Sequence, residues 1–215
     1  MNIQGYQRIQ FAFPNERRKA IDDLSFEIHS NAKTLLKGNT GSGKTVLLQI
    51  LMGLYQVTDG ELYINDVPIS HYQRDELFQA IGIAFPSNQI FKGSFKENIL
   101  MGRDISEKDL LDTIKVLKLD TYFVHQPDGV DCMINSGGKN LPRSIIQKIL
   151  IARVIVHKPK LLLIEDPLQF IEEEEKKRII DYLMDKKRDW TIVVVSDFYY
   201  WEEKCTQIID LTNNN

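Results

Sequence analysis

Four residues near the start of the chain have the types and the spacing of a loop that binds phosphate: Gly38, Gly43, Lys44 and Thr45. They stand in the segment "LLKGNTGSGKTVLLQILMG", between an apolar strand pattern and a periodic apolar helix pattern. Glycines let successive backbone N–H groups point at phosphate oxygens, and the following helix directs the positive end of its dipole to the same place. We therefore predict a site for nucleotide phosphates. The residues assigned to it are Gly38, Asn39, Thr40, Gly41, Ser42, Gly43, Lys44 and Thr45.

The side chains of Lys44 and Thr45 have separate tasks in such a loop. The Lys44 ammonium is expected to reach the β- and γ-phosphates, and the Thr45 hydroxyl is expected to ligate Mg²⁺. A carboxylate at the end of a later strand would hold the water shell of the ion. A chance glycine-rich turn is the ordinary alternative, and both the strand before the loop and the helix after it count against that alternative.

The elements around the loop follow two hydrophobic patterns. Alternation in "YQRIQFAF" and "DGELYIND" predicts antiparallel strands near the start of the chain. Short apolar runs predict buried strands at "KTLLKG", "KLLLIED", "TIVVVSD" and "TQIIDL", with helices between them. This order predicts an α/β core with a parallel sheet and a helical insert at about residues 86–155. The run Glu172 to Glu175 is interpreted as the solvated first turn of a helix.

Composition narrows the possible partners. The chain has 27 Lys and Arg against 30 Asp and Glu, for a formal net charge of -3, so we expect no nucleic-acid partner. Cys132 and Cys205 are too far apart in sequence for a metal motif. No apolar run approaches the roughly 18 residues that span a bilayer, so any membrane role is expected to need a partner.

The order of further motifs resembles one family. After the phosphate loop come "DGELYIND", "IFKGSFKENI" and "KILIARVIVHKPKLLLIED", and the resemblance is to the nucleotide-binding domain of ABC transporters, especially of the exporter type, over nearly the whole chain. It implies the ABC ATPase fold: a P-loop NTPase core with a parallel sheet, an N-terminal antiparallel β subdomain and a helical insert. Residues 1–215 would form a single nucleotide-binding domain, with the helical subdomain at approximately 86–155.

The resemblance also implies ligands and partners. ATP and Mg²⁺ are the expected cofactors. A second nucleotide-binding domain, in a homodimer or a heterodimer, and the transmembrane domain of a transporter are the expected partners. The expected place is the cytoplasmic face of the membrane, as a soluble domain with no transmembrane segment in this chain.

Several site residues are carried over by position, and some depart from the family pattern. Phe13 stands where the family has an aromatic that stacks on adenine, with ordinary strand packing as the alternative. Glu165 stands where a carboxylate holds the Mg²⁺ water shell. Asp166, in the place of the general base, is one methylene short of the family's glutamate. Asp197 replaces the switch histidine, and Pro86 replaces an expected glutamine. These departures indicate a degenerate catalytic site.

The family's signature, LSGGQ, opens a helix, and the visible SGG at residues 136–138 lies too early for it. Pro142 has no N–H and fits the first turn of a helix, so the helix is expected to begin there. The signature positions, counted back from Gln147 and Arg153, are Leu141, Pro142, Arg143, Ser144 and Ile145. The alternative is a longer helix in which the SGG does serve. Arg143 would be either a trans phosphate contact or a solvated surface charge.

Three functions remain open at this point. The first is an ATP-binding domain of an exporter that couples ATP binding, with slow or absent hydrolysis, to a transmembrane partner. The second is a catalytically inactive pseudo-ATPase that acts as a nucleotide-binding regulatory or dimerisation module. The third is a small-molecule P-loop kinase, which would need an arginine-rich lid that the sequence does not contain.

Overall fold

The computed structural model describes residues 1–16, 18–86, 89–166 and 168–212, and these residues form two compact units. The first unit comprises Met1–Gly82, Lys160–Glu165 and the chain from Lys186 onward. The second unit comprises Ile83–Pro159 and Asp166–Asp185. The second unit therefore spans the whole range predicted for the helical insert, together with a later segment of the chain.

Strands and helices alternate along most of the described chain. The strands are β1 (Ile3–Ala12), β2 (Lys19–Ile28), β3 (Lys33–Lys37), β4 (Asp59–Ile64), β5 (Val67–Pro68), β6 (Ile81–Ala84), β7 (Gly93–Ser94), β8 (Met133–Ile134), β9 (Leu161–Glu165), β10 (Thr191–Val195) and β11 (Gln207–Asp210). The helices are α1 (Lys44–Leu51), α2 (Arg74–Ala80), α3 (Phe95–Leu100), α4 (Glu107–Val116), α5 (Asp120–Phe123), α6 (Arg143–Ile155), α7 (Glu173–Met184) and α8 (Tyr199–Lys204). Short 3₁₀ turns lie at Ile69–His71, Gly129–Asp131 and Ser136–Gly138.

The first unit contains an antiparallel sheet in the order β2-β1-β4-β5. Its central strand β1 places Ile3 opposite Ile28 on one side and opposite Ile64 on the other, and all three side chains are fully buried. The register of β1 against β2 shifts several times, which is typical of a strand that carries β-bulges. The antiparallel strands predicted near the start of the chain are confirmed.

A parallel sheet in the order β11-β3-β10-β9-β6 carries the phosphate loop. The side chains from Leu161 to Ile164 and from Ile192 to Val194 are fully buried, as expected for strands covered on both faces. Register pairs Val195 with Glu165 and Asp210 with Lys37, so neighbouring strands end at the same edge. Ligands of open α/β sheets bind beyond the carboxyl ends of the strands. The α/β fold with a parallel and an antiparallel sheet is thus confirmed.

The second unit is organised around α6, which packs against α3 and α4. Arg153 of α6 donates through Nε to the Asn98 carbonyl at 2.8 Å and through Nη1 to the Gln89 carbonyl at 3.1 Å. Among the described residues, no helix is both long enough and apolar enough to cross a membrane.

A buried ion-pair network joins α6 to α7, and it corrects the interpretation of the glutamate run. Lys148 is only 7% exposed, and its Nζ lies 2.8 Å from Glu175 Oε2. Glu175 also pairs with Arg178 at 3.1 Å, and Arg178 donates to the Val116 carbonyl at the end of α4. Glu175 is therefore a half-buried partner of two cations, because it faces the buried Lys148 of α6. The run does form the first turn of α7 and its cap, and Glu172, Glu173 and Glu174 are exposed as predicted, so the solvated interpretation was wrong only for Glu175.

Candidate functional site

The loop between β3 and α1 has the backbone that phosphate binding requires. Gly38, Gly41 and Gly43 have φ values of 144°, 80° and 90°, which favour glycine. Gly43 caps α1, and its carbonyl accepts the first helical hydrogen bond from Leu47 N–H at 2.8 Å. No acidic side chain lies in the first turn of α1, so the positive end of the helix dipole is left for an anion.

Two glycines of the loop also have no room for a side chain. A Cβ at Gly43 would lie 2.2 Å from the Ala20 carbonyl oxygen of β2, and a Cβ at Gly38 would lie 2.5 Å from Ser42 Oγ. The Ser42 hydroxyl is itself buried without a hydrogen-bond partner among the described residues. The loop is therefore tightly packed at Gly38 and Gly43, against Ser42 and Ala20 of β2. Its residues Asn39, Thr40 and Gly41 are exposed.

This packing gives a prediction for two alanine variants. Gly43→Ala combines a left-handed backbone with a backbone clash, and we expect it to lower the free energy of unfolding by about 2–4 kcal/mol and to weaken nucleotide binding. Gly41→Ala has a similar backbone, but no atom lies within 4 Å of its Cβ, so it should cost about 1 kcal/mol. Urea unfolding of both variants is the measurement, and equal destabilisation would show that the contact with β2 is not limiting.

Lys44 holds its charge at the mouth of the loop. Its Nζ donates to the Gly38 carbonyl at 2.6 Å and to the Asn39 carbonyl at 3.0 Å. Both acceptors are backbone groups of the predicted phosphate site. The ammonium is therefore in position to exchange these contacts for phosphate oxygens.

Thr45 and Glu165 come together although 120 residues separate them. The Thr45 hydroxyl donates to Glu165 Oε1 at 2.5 Å, so a hydroxyl and a carboxylate face each other directly after the loop. Such an oxygen pair fits Mg²⁺, which takes one or two protein oxygens and completes its shell with phosphate oxygens and water. Among the described residues there is no cluster of three or more acidic, histidine or cysteine side chains that would hold a metal without a nucleotide.

A pocket of about 380 Å³ lies beside Lys44 in the first unit. Its charged side chains are Lys37, Lys44, Asp197, Glu202 and Asp210. Lys37 pairs with Glu202, and two hydrogen bonds from Thr212 lower the pKa of Asp210, so that carboxyl is ionised near neutral pH. Asp197 is exposed and has no ion-pair partner in the described part of the chain. The predicted switch position is thus brought to the same pocket as Lys44, but as a negative charge.

Phe13 follows β1 and belongs to a cluster of three aromatic rings. Its ring centroid lies 5.1 Å from that of Phe11 and 5.5 Å from that of Tyr55. In the sheet Phe11 pairs with Ile21, and Ile21 Cδ1 lies 2.7 Å from the Cβ position of Gly43. Phe13 therefore lies beyond the strand end that supports the phosphate loop. Both sequence interpretations of Phe13, base stacking and strand packing, are compatible with this placement.

The signature positions lie at the start of α6 in the second unit. Pro142 is the cap residue, with φ -58° and ψ 142°, and the helix begins at Arg143, one residue later than expected. Arg143 is exposed, and its guanidinium lies 4.7 Å from the centroid of the Phe170 ring. Leu141 and Ser144 are half-buried, whereas Ile145 is buried in the core.

The SGG segment has a separate structural role. Ser136–Gly138 is a 3₁₀ turn in which Gly137 has φ 72° and donates its N–H to the Ile90 carbonyl at 2.8 Å. Gly138 is buried, and a Cβ there would lie 2.9 Å from Ile146 Cδ1. Since α6 starts at Arg143, the longer helix that would recruit the SGG is not formed.

Several positions predicted to depart from the family pattern line one cavity of the second unit. This cavity measures about 300 Å³, and its lining is Ala84, Phe85, Pro86, Arg143, Ile146, Gln147, Leu150, Asp166, Gln169 and Phe170. The Phe170 N–H donates to Gln147 Oε1 at 2.8 Å, and this hydrogen bond links Phe170 to α6. Asp166 itself has a φ of 38°, a left-handed conformation that aspartate tolerates.

Sequence reasoning missed two features of these units. Tyr55 packs against Phe13, although its position after α1 gave no signal of a contact with β1. Lys148 is a buried partner of Glu175, although lysine on a helix usually indicates a solvated face. Both are long-range contacts that local pattern does not encode.

The fold and the loop together define a nucleotide-binding P-loop protein. A family model described as "ABC transporter" matches residues 21–169, which is more than half of the chain. The chain therefore belongs to the ABC transporter family.

Individual relatives agree with this assignment. The chain is 29% identical over 177 residues to the uncharacterized ABC transporter ATP-binding protein YfiB of Bacillus subtilis, covering 82% of this chain and 31% of that protein. It is 25% identical over 192 residues to a putative export ATP-binding/permease protein of Rickettsia bellii, covering 89% and 33%. It is 24% identical over 205 residues to the glutathione/L-cysteine transport system ATP-binding/permease protein CydC of Escherichia coli, covering 95% and 36%.

A solved structure shares the fold. The structure of a bacterial Atm1-family ABC exporter with ATP bound matches with a TM-score of 0.91 at 21% identity, over 99% of this chain and 37% of that one. The chain spans a third or less of the length of most curated relatives it matches, such as 31% of the Bacillus subtilis protein and 33% of the Rickettsia bellii protein.

Proposed function

We propose that this domain binds ATP together with Mg²⁺ at the loop from Gly38 to Thr45 and couples that binding to a transmembrane partner in an exporter-type transporter. The observation that carries the proposal is the hydrogen bond between the Thr45 hydroxyl and Glu165 beside the Lys44 ammonium. This arrangement places a metal-binding oxygen pair and a phosphate-binding cation at the N-terminus of one helix.

The charges of the site support a requirement for Mg²⁺. The pocket beside Lys44 holds three carboxylates against two lysines, so a bare triphosphate would meet unfavourable charge there. Bound Mg²⁺ would neutralise part of the triphosphate charge and draw on the oxygens of Thr45 and Glu165. Lys44 would then orient the terminal phosphates, and the tightly packed glycine loop would present its N–H groups to them.

The proposed partners follow from the relatives. Two of them are named ATP-binding/permease proteins, so a transmembrane portion and an ATP-binding portion occur in those proteins together. We infer that this domain works at the cytoplasmic face of a membrane beside such a portion. A second nucleotide-binding domain, identical or different, would face the signature positions from Leu141 to Ile145.

The comparisons do not favour the two rival functions. Membership in the ABC transporter family excludes the small-molecule kinase, and relatives named for export and transport favour an energy-coupling domain over a purely regulatory module. The predicted departures at Pro86 and Asp166 would bear on the rate of hydrolysis rather than on ATP binding. Asp197 would bear on both, because it is one of the carboxylates whose charge Mg²⁺ would offset.

Calorimetry with ATP tests the proposal. We expect ATP to bind at least about tenfold more tightly with Mg²⁺ than with excess EDTA, because the ion offsets the carboxylates of the pocket. Thr45→Val removes the hydroxyl at nearly constant volume and should abolish most of this difference. If ATP binds neither with Mg²⁺ nor with excess EDTA, the proposed function is refuted. Phosphate release, measured in the same samples, separates an ATPase from a binding module.

A further inference from the structure

Tyr55 contacts Phe13, the aromatic side chain that the family resemblance predicts to stack on adenine. Phe11 and Tyr55 stack nearly parallel, with an interplanar angle of 26° and centroids 5.2 Å apart. The Phe13 ring stands almost perpendicular to both, at 83° to Phe11 and 87° to Tyr55. Edge-to-face pairs at such distances are favourable, so two neighbours fix the orientation of the Phe13 ring.

The segment that carries Tyr55 is itself anchored to β1. Thr58 donates to the Gln10 carbonyl twice, from its N–H at 2.8 Å and from its hydroxyl at 3.0 Å. Just before Tyr55, the Leu54 N–H donates to the Gln49 carbonyl at the end of α1 at 3.0 Å. Tyr55 is thus held between the helix that begins at the phosphate loop and the strand that leads to Phe13.

Phe11 and Phe13 contribute differently to the cluster. Phe11 is 5% exposed and belongs to the core, whereas Phe13 is half-buried and keeps part of its ring accessible. No helix or strand includes Phe13, so backbone hydrogen bonds of a sheet do not hold it. Its carbonyl accepts a turn hydrogen bond from the Glu16 N–H at 3.0 Å, while the rings of Phe11 and Tyr55 contact its side chain and orient the ring.

We propose that Tyr55 is a positioning residue for the nucleotide base: it holds the Phe13 ring in the orientation that stacks on adenine and so makes the base contribute to affinity. The inference rests on the proposed function, because it requires that ATP binds at the adjoining loop. It adds a residue to which the family resemblance gives no role. It also predicts that the loss of Tyr55 weakens binding of the base and leaves binding of the phosphates unchanged.

The test compares ATP with inorganic tripolyphosphate, which offers the phosphates without the base. In calorimetry with Mg²⁺, Tyr55→Leu should weaken ATP binding by about three- to tenfold, corresponding to the loss of a favourable aromatic pair. Tripolyphosphate should bind the variant and the native chain equally. Tyr55→Phe keeps the ring and should restore native ATP affinity.

A matched control comes from the second unit. Tyr122 makes a similar perpendicular contact with Phe95, with centroids 5.9 Å apart, so Tyr122→Leu removes an aromatic pair far along the chain. It should leave both affinities unchanged. If Tyr55→Leu fails to fold, Tyr55→Met provides a softer truncation for the same comparison.

Each outcome has a separate meaning. Equal ATP affinity of Tyr55→Leu and the native chain overturns the proposal, since Tyr55 would then only fill the core. Equal weakening of ATP and tripolyphosphate also overturns it, because the change would have disturbed the phosphate loop. If the native chain binds neither ligand, the proposed function itself fails. Only selective loss of ATP binding, rescued by Tyr55→Phe, supports a positioning role.

Discussion

The Lys44→Ala variant should bind Mg-ATP on the order of a hundredfold more weakly than the native chain. The Lys44 ammonium is held by the carbonyls of Gly38 and Asn39 at the mouth of the phosphate loop, and a bound triphosphate would take over these contacts. Charge-assisted hydrogen bonds contribute about 1.5–3 kcal/mol each, which corresponds to roughly ten- to 150-fold in affinity. Calorimetry at constant ionic strength is the measurement.

Two further variants make this result specific. Lys44→Arg keeps the charge but replaces a compact ammonium by a planar fork, so it should recover only part of the affinity. Lys19→Ala removes an exposed lysine of the same unit that pairs with Asp22, and it should change ATP affinity little. If Lys44→Ala and Lys19→Ala bind ATP equally well, the loop is not the nucleotide site.

Much of the first unit could be predicted from sequence because its signals are local. The apolar runs at β3, β9, β10 and β11 are short and bounded by polar residues, and all of them join the parallel sheet as predicted. The glycine spacing of the phosphate loop likewise encodes its backbone directly. In the second unit, Pro142 likewise predicts the start of α6 to within one residue, since proline limits where a helix can begin.

The remaining features depend on contacts between distant residues. Nothing near Glu175 in sequence indicates that the charge partner of this residue is Lys148 on another helix. Similarly, Tyr55 stands in the loop after α1, and the contacts of Thr58 and Asp59 with Gln10 in β1 bring it beside Phe13. Local periodicity carries no information about such pairs, so these residues could not be assigned before the structure.

Hydrolysis of ATP is expected to be slow, because the sequence predicts departures from the family pattern at Asp166 and Asp197. Asp197 lines the pocket that contains Lys44, and as an unpaired carboxylate it opposes the charge that develops on the terminal phosphate. Asp166 directly follows Glu165 and is one methylene shorter than the glutamate of the family. Displacement of a catalytic group by about 1 Å can cost on the order of a hundredfold in rate.

We therefore expect the double variant Asp166→Glu with Asp197→His to release phosphate faster than the native chain, by on the order of a hundredfold. Groups that act as a unit are strongly non-additive, so each single variant should give little gain and the double variant more than their product. Asp197→Asn separates the removal of charge from the gain of an imidazole. The measurement is phosphate release at saturating Mg-ATP, with Lys44→Ala as the background.

Two results would contradict this expectation. Native turnover within the ordinary enzyme range of about 1 to 10³ per second would mean that Asp166 and Asp197 serve the reaction as they stand. Equal rates for the native chain and the double variant would point instead to the signature positions, where Pro142 and Arg143 remain unchanged in every variant. In that case, adding a second nucleotide-binding domain with an intact signature should raise the rate, because that partner would present an unaltered signature to the terminal phosphate.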